Sequence, residues 1–521
     1  MIKYKKAVLV ASAMLSTDRA PAALAFMAGI CEHNQIEYEI FDINLFIQQN
    51  YDVDTYNKIE ASSLNMDFTY HDDALKKTID EIAERAVDQV LSFDPDLIAV
   101  TSLSAWQIAW VDKFLTTLKK KNTNAVTIAG GPGISYEQEI GKSAGRILAD
   151  KDVLDYFLLG EGDVAFSNFL QGQIDKGVNT KSTAIDEWVP QIDKLDNLTL
   201  PTYKKIDLSQ YGQANSVSKG KTPPTINITG SRGCVRRCTF CDIGSIWKKF
   251  RFRSAKDIVA EIVKSHTETG CINYFFNDSL LNGSMQQFKE VMQNVIEAKK
   301  ILPSLRPMVY SGQFIIRKKE YHPEYIFELL RDSGIDHLLI GIESGSEPVR
   351  YHMGKNFSNE DIDYHFEMSS KYGIKNFLLM FTAYPTETLD DYEDTVNFYK
   401  KNQKYLIDGT IIGTSMAGPA IIYPNTPLWN QRHELGIEIN NVQYSNHSNW
   451  TVSSNPTLTV KERHRRYIAM SKLLTELRYP MSTNTLSYIE SNMAEFRANL
   501  ANMEQMKKIE KNKVIPINIK D

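Results

Sequence analysis

Cysteine is scarce in this chain, with only 5 among 521 residues. A disulfide framework needs far more pairs for this length, so the fold is not expected to depend on disulfides. Three of the five, Cys234, Cys238 and Cys241, nevertheless fall within one short stretch. Reduced thiols that bind a metal explain this spacing better than structural bridges.

Long apolar runs and an excess of positive charge are also missing. No stretch reaches the roughly 18 residues that a membrane-spanning helix requires, and residues 7–10 are too few for a secretory signal. We therefore expect a cytoplasmic protein. Lys and Arg number 59 against 64 Asp and Glu, a net charge of -5. Without a summed positive field, neither a membrane surface nor a nucleic acid is supported as a partner.

Strand-like and helix-like segments alternate along the first 185 residues. Short apolar runs at 7–10, 97–100 and 125–129 are typical of buried strands, and residues 20–33 carry apolar side chains at helical spacing. Such alternation predicts an α/β domain with a doubly wound, Rossmann-like parallel sheet over residues 1–185. Residues 186–221 have little periodicity and are predicted to be a linker.

A second alternating series occupies residues 222–430. Six strand-like runs are separated by helical patterns, two of which start at a visible cap. Ser254 and Asp257 have the spacing of a capping box, in which each side chain accepts the other residue's N–H, and Ser284 precedes the other helix. Six βα units in sequence predict an open, partial (β/α)6 barrel. Beyond residue 430 the pattern is mostly helical, so 431–521 is predicted to be a helical region with one long polar helix at 482–511.

The three clustered cysteines follow directly on the first strand of the second series. The spacing is Cys234-x-x-x-Cys238-x-x-Cys241, after the turn residues Gly230 and Gly233. An iron-sulfur cube has four irons, so three thiolates leave one iron open to another ligand. Structural zinc is the rival interpretation, but it normally takes four protein ligands and no fourth lies nearby. Cys271 and Cys31 have the sequence context of small buried side chains.

This motif, with Phe240 directly before the third cysteine, resembles that of the radical S-adenosylmethionine (SAM) superfamily over residues 222–430. The resemblance implies a 4Fe-4S cluster whose open iron binds the amino and carboxylate groups of SAM. Reductive cleavage of SAM would release a 5'-deoxyadenosyl radical that abstracts hydrogen from a substrate. It also implies SAM contacts at strand ends, where a turn or a helix cap is the alternative role: Phe240, Asn277, Asp278, Ser311, Gln313, Glu343 and Ser344.

The first domain resembles cobalamin-binding domains in the spacing of its strand-end turns. In a doubly wound sheet these turns meet at the edge where ligands dock. The resemblance implies cobalamin contacts from three turns: Thr101, Ser102 and Leu103, then Gly130 and Gly131, then Gly160 and Glu161. The Asp-x-His-x-x-Gly motif of some such domains is missing after the first strand, so no histidine from that motif would bind cobalt from below.

Together these resemblances imply a cobalamin-linked radical SAM enzyme that transfers a methyl group to an unactivated carbon of a small molecule. A reductant such as flavodoxin or ferredoxin would be its partner. A radical cyclisation or rearrangement without methyl transfer is the alternative within the same class. From other classes, a non-catalytic iron-sulfur electron carrier or redox sensor and a zinc-stabilised interaction module remain open.

Overall fold

The computed structural model describes residues 4–13, 17–63, 73–121, 123–139, 141–212, 222–439 and 450–481. The helix predicted at 482–511 lies outside the described residues. None of the helices in these ranges has both the length and the apolar character needed to cross a bilayer.

The first part of the chain folds into a six-stranded sheet covered by helices. The strands of the sheet are β1 Lys6–Ala11, β2 Glu37–Asp42, β3 Leu97–Thr101, β4 Val126–Gly130, β7 Tyr156–Leu158 and β8 Val178–Asn179. A separate small hairpin is formed by β5 Glu137–Glu139 and β6 Lys142–Ser143. The helices of this part are α1 Ala22–His33, α2 Ile43–Asn50, α3 Val53–Ser63, α4 Asp73–Ser92, α5 Ile108–Lys120, α6 Ala144–Asp150 and α7 Gly162–Leu170.

The sheet order is β2-β1-β3-β4-β7-β8, which confirms the predicted doubly wound arrangement. All neighbouring pairs are parallel except the edge pair of β7 and β8, which is antiparallel. Alternate side chains of β1 enter two separate cores: Ala7 and Leu9 pack on one face, and Val8 and Val10 on the other. Because both faces are covered, the strand is almost wholly apolar.

The second part begins with a strand, a short hairpin and then five further parallel strands. Its strands are β9 Ile226–Ile228, β10 Ser231–Arg232, β11 Arg251–Phe252, β12 Asn273–Phe276, β13 Val309–Phe314, β14 Ile335–Glu343, β15 Lys375–Thr382, β16 Ile411–Pro419, β17 Ile437–Ile439 and β18 Trp450–Val452. Its helices are α8 Ile243–Ile246, α9 Ala255–Thr269, α10 Met285–Ile301, α11 Tyr325–Ser333, α12 Glu347–His352, α13 Asn359–Tyr372, α14 Leu389–Ile407, α15 Pro427–Asn430 and α16 Val460–Glu476.

The large sheet of this part has the order β16-β15-β14-β13-β12-β9, entirely parallel, as predicted for a partial barrel. The side chains of Ser254 and Ser284 cap α9 and α10, as expected. The predicted reciprocal bond at Ser254 is wrong: its N–H donates to Asp196 at 2.6 Å, while Asp257 accepts from Arg253 at 2.8 Å. A nearby arginine and a carboxylate from another segment therefore replace the local pairing.

Two further segments complete the described chain. The predicted linker, residues 186–221, is packed in its described part, since Tyr203 and Tyr211 are buried and Thr202 donates its N–H to the Ala25 carbonyl at 3.0 Å. After residue 430 the described chain forms the antiparallel pair β17–β18 as well as α16. Strands of three residues are too short to give a periodic signal, so the sequence indicated only the helix.

Candidate functional site

The three clustered cysteines lie on one loop between two paired short strands. β10 and β11 form an antiparallel hairpin, and residues 233–250 between them carry Cys234, Cys238 and Cys241. All three thiols are free and partly exposed. Within the described ranges, no three His, Cys, Asp or Glu side chains gather closely enough for a single metal ion. In a four-iron cluster each thiolate binds a different iron, so the sulfurs need not converge on one point.

Residues 233–250 are called the cluster loop below. The middle of the cluster loop is fixed against the barrel. The Thr239 hydroxyl lies 2.8 Å from the Tyr384 hydroxyl, and the Leu428 N–H donates to the Thr239 carbonyl at 2.7 Å. Phe240 stacks edge-to-face on Phe381, with ring centroids 5.2 Å apart. Phe240 is thus held against the barrel, and its contact with SAM stays a prediction.

Three cations surround the first cysteine. Burial raises the pKa of the Cys234 thiol, and the charges of Lys355, Arg236 and Arg317 oppose that shift. The pKa of Cys241 is raised to about 11, mainly by burial. Because thiolate is the form that binds metal, nearby positive charge favours ligation at Cys234. The three free thiols on one loop fit the ligand set of an iron-sulfur cluster.

Lys355 is a functional candidate that sequence reasoning missed. Its ammonium group is almost fully buried, lies 2.9 Å from a carboxylate oxygen of Glu343 and donates to the Gly341 carbonyl at 2.7 Å. Glu343 itself has a φ of +70°, a conformation that is strained for a residue with a side chain. The ion pair and the strain fix this carboxylate at the end of β14. No spacing rule links Glu343 to Lys355, so only the fold reveals the pair.

Ser344, the residue after Glu343, makes hydrogen bonds that stabilise its own turn. Its hydroxyl accepts the Ser346 N–H at 3.2 Å and lies 3.3 Å from the Thr395 hydroxyl, while Arg350 donates to its carbonyl at 2.8 Å. Ser344 is buried in this turn. These bonds account for the Ser344 side chain without a ligand. They match the alternative role, a turn or a helix cap, that was considered for each residue at a strand end.

The other predicted SAM contacts lie directly after β12 and within β13, where Ser311 is the third of six residues and so does not end the strand as expected. Ser311 is buried and Gln313 is exposed on β13. Asn277 accepts the Thr229 hydroxyl at 3.0 Å, and Asp278 has both carboxylate oxygens in use. One oxygen accepts the Ser231 N–H and hydroxyl, and the other accepts the Gly230 N–H at 3.3 Å. Asp278 thus holds the turn that leads into the cluster loop.

Asp278 gives a testable prediction about stability. Burial raises the pKa of its carboxyl group to about 7, against an ordinary value of 3.8. Because folding raises its pKa, the Asp278 carboxyl group contributes to the stability of the folded protein. This contribution is full below pH ~4 and is lost as the pH rises through ~7. We expect Asp278→Asn, which cannot ionise, to gain stability relative to the wild type over that range. Urea unfolding of the cluster-free protein at several pH values measures this; a constant difference would contradict it.

A cavity of about 800 Å³ lies between the two sheets. Its wall on the first sheet combines apolar residues of α1 with the ends of β3, β4 and β7. Its opposite wall is formed by the cluster loop and the ends of β9 and β12. Lining residues include Ala22, Ala23, Met27, Thr101, Leu103, Gly130, Gly131, Gly160, Glu161, Thr229, Arg232, Trp247 and Asn277. The cavity therefore reaches from the predicted cobalamin turns to the cluster loop and Asn277, whereas the three cysteines and the other predicted SAM residues are not among its lining residues.

Most of the predicted cobalamin residues meet at this cavity. Thr101, Leu103, Gly130, Gly131 and Gly160 line it, and Leu103 is 57% exposed although it is a large apolar side chain. The size is near the upper end of ligand pockets, and the strand-end edge of a doubly wound sheet is where ligands dock. The residues present therefore fit a large cofactor with apolar surface.

Two predicted cobalamin residues have other contacts. Ser102 is buried, and its hydroxyl donates to the Ser104 carbonyl at 3.2 Å. A Cβ at Gly131, where φ is +102°, would come within 2.4 Å of the Ser102 carbonyl oxygen, so this approach needs glycine. Glu161 lines the cavity, but its carboxylate accepts from Arg251 at 3.0 Å and from the Ile192 N–H at 2.8 Å.

Residues 228–399 match the family model of the radical SAM superfamily. The chain is 23% identical over 398 residues to an uncharacterized methyltransferase of Pyrococcus horikoshii, an alignment that covers 74% of this chain and 78% of that protein. Among solved structures, it resembles the radical SAM methyltransferase TsrM of Kitasatospora setae with cobalamin and a 4Fe-4S cluster bound, with a TM-score of 0.60, 15% identity and coverage of 83% and 77%.

The fold also resembles OxsB, a cobalamin-dependent SAM radical enzyme solved with aqua-cobalamin bound. The TM-score is 0.62 at 14% identity, and the match covers 98% of this chain and 72% of that one. At such identities the likeness establishes a shared fold, with a Rossmann-like sheet followed by a partial barrel.

Proposed function

Because this chain belongs to the radical SAM superfamily, we propose that it is a cobalamin-linked enzyme that transfers a methyl group to an unactivated carbon of a small molecule. The observation that carries the proposal is the continuous cavity between the cluster loop and the Gly130–Gly131 turn. An enzyme that uses SAM and cobalamin together needs both beside one space. The relatives named above, a methyltransferase and two cobalamin-containing radical SAM enzymes, support it.

We assign the cluster ligands to Cys234, Cys238 and Cys241. A 4Fe-4S cluster with one open iron supplies the electron that cleaves SAM. The chain's own contribution is to hold the three thiolates on one loop and to place Lys355 and Arg317 near Cys234, where their charges favour the thiolate form. Phe240 on Phe381 and Thr239 beside Tyr384 keep this loop against the barrel.

SAM would lie along the strand ends next to the cluster loop. Glu343 is held there by Lys355 at 2.9 Å, and Asn277 faces the cavity. Phe240, Ser311 and Gln313 complete the proposed contacts. Ser344 and Asp278 would support the site through the turns they fix.

Cobalamin would occupy the cavity beside the first sheet, where it supplies a cobalt that carries a methyl group. Thr101, Leu103, Gly130, Gly131 and Gly160 would contact it. Glycines at the β4 and β7 ends let the backbone approach a bulky ligand closely. The apolar residues of α1 exclude water from the same wall. For this account, residues 1–185 serve as the cobalamin-type domain and 222–430 as the radical SAM barrel.

A protein reductant would dock beside the cluster loop. Arg237 is exposed on the cluster loop, and Arg236 and Arg317 lie close enough to influence Cys234. This local positive charge contrasts with the net charge of -5 for the chain and favours an acidic electron carrier such as flavodoxin or ferredoxin. Free thiols and a low-potential partner both suit the cytoplasm.

Anaerobic reconstitution with iron, sulfide and hydroxocobalamin tests the proposal. With SAM and a reductant, we expect the protein to form both 5'-deoxyadenosine and S-adenosylhomocysteine, the second being the product of methyl donation. Formation of 5'-deoxyadenosine alone would indicate a cyclisation or rearrangement. If neither product forms while the cluster still cycles electrons, the chain is an electron carrier or sensor and the proposal fails.

A further inference from the structure

The cluster loop has a narrow neck formed by two arginines. Arg232 and Arg251 are directly paired across β10 and β11, and all three cysteines lie between them. At Gly233, where φ is +85°, a Cβ would come within 2.5 Å of the Lys249 carbonyl oxygen, so the two sides of the neck are in close contact. Whatever holds both arginines therefore holds the two ends of the loop together.

The two arginines bind the turn that follows β7 and the first turn of α7. Arg251 contacts both carboxylate oxygens of Glu161, one of them at 3.0 Å. Arg232 donates two bonds to Asp163, at 2.8 and 2.9 Å, and also lies 3.4 Å from Glu161. Two guanidinium groups thus face two carboxylates, and the charges balance.

This network is buried, unlike an ordinary surface ion pair. The side chains of Glu161 and Arg251 are 1% and 6% exposed, and those of Arg232 and Asp163 are 13% and 17% exposed. The Trp247 ring lies 5.7 Å from each guanidinium group. Two-point arginine-carboxylate bonds have a fixed geometry, so the network constrains orientation as well as distance.

The network also forms part of the cavity wall. Glu161, Asp163, Arg232 and Trp247 all line the cavity, directly after Gly160. The Glu161 carboxylate already accepts bonds from Arg251 and from the Ile192 N–H. The Glu161 carboxylate therefore links the two halves of the chain, whereas its position in the sequence predicted a direct contact with cobalamin.

We propose that Glu161, Asp163, Arg232 and Arg251 are positioning residues that set the distance between the cluster loop and the cobalamin cavity. The inference rests on the proposed function for the identity of the two cofactors. The physical reason is that the loop has no other charged attachment at its neck as strong as these bonds, within the ranges described. A radical or methyl transfer across the cavity depends on that distance, since a displacement of about 1 Å can slow a positioned reaction on the order of 100-fold.

Pulsed EPR of the reconstituted protein measures the distance between cob(II)alamin and the reduced cluster. We expect Glu161→Gln and Asp163→Asn to shift that distance by about 1 Å or more, or to broaden its distribution, while the Kd for hydroxocobalamin stays within about threefold. Asp186→Asn is the matched control, because it breaks the similarly buried pair with Arg146 at 2.8 Å, away from the cavity lining.

Two results would overturn the proposal. One is an unchanged distance distribution in both variants. The other is a loss of hydroxocobalamin affinity of about tenfold or more with an unchanged distance, which would make Glu161 a direct cofactor contact. Thermal unfolding checks that the variants fold, and Asp163→Asn, the more exposed site, provides the test if Glu161→Gln does not.

A second arm separates this proposal from the proposed function. If the wild type binds no corrin, the proposed function fails, but the network can still be tested in the corrin-free protein by hydrogen exchange. We expect the amides of residues 230–252 to exchange faster in Glu161→Gln and Asp163→Asn than in the wild type or in Asp186→Asn. Equal exchange rates in all four proteins would refute the positioning role.

Discussion

Replacing Cys238 by alanine is expected to reduce the iron content from about four atoms per chain to near zero and to abolish SAM cleavage. Two thiolates on a short loop leave two irons without protein ligands, and such a cluster is not retained. Cys238 is partly exposed and lies between the other two cysteines of the loop. Its loss should affect the cluster without creating a large cavity in a core. Iron and sulfide analysis after anaerobic reconstitution is the measurement.

Cys271→Ala provides the matched control. Cys271 is only 7% exposed, and its sulfur lies 3.3 Å from the Pro224 carbonyl oxygen and 3.2 Å from that of Asn273. We therefore expect full iron content in Cys271→Ala. Retention of iron by Cys238→Ala, or its loss from Cys271→Ala, would contradict the assignment of ligands.

Ala23→Trp is expected to close the cobalamin cavity while leaving the cluster intact. Ala23 lies on α1, is partly exposed and lines the cavity. An indole there would occupy space needed by a large cofactor, and we expect the Kd for hydroxocobalamin to rise about 100-fold or more, equivalent to about 2.8 kcal/mol. Formation of 5'-deoxyadenosine should continue, because the cluster loop lies on the opposite wall. Corrin retention after gel filtration, together with SAM cleavage, measures both effects.

Ala74→Trp is the control for that substitution. Ala74 is an exposed residue near the start of α4, and it is not among the residues that line the cavity. The same change of side chain there should leave corrin binding unaltered. Unchanged corrin binding in Ala23→Trp would mean that the cofactor does not occupy this cavity, and the methyl-transfer proposal would lose its support.

The fold was predictable to a large extent because its strands are buried on both faces. Continuous apolar runs such as β1 and β3 are distinct from the helical patterns between them, and parallel order follows from their alternation. The edge strand β8 has only two residues and the hairpin β17–β18 has strands of three, so neither leaves a pattern. Their pairing depends on contacts made only in the folded chain.

The site was predictable where its residues are close in sequence. The three cysteines share one loop, and the glycine turns follow strands, so a local pattern identified them. The partners of Glu161 and Glu343 were not predictable, since Arg251 is 90 residues from Glu161 and Lys355 joins Glu343 only through the fold. Ser102 and Asp278 were placed correctly at strand ends, but their polar atoms bind their own or adjacent turns.

We propose that the loop of Cys234, Cys238 and Cys241 leaves one iron of a cluster open to SAM. Mössbauer spectroscopy of the iron-57 protein, with and without SAM, tests it most directly. We predict that SAM changes the signal of about one iron in four, because only that iron lacks a cysteine. A spectrum that SAM leaves unchanged, or a protein that contains zinc in place of iron and sulfide, would contradict the account.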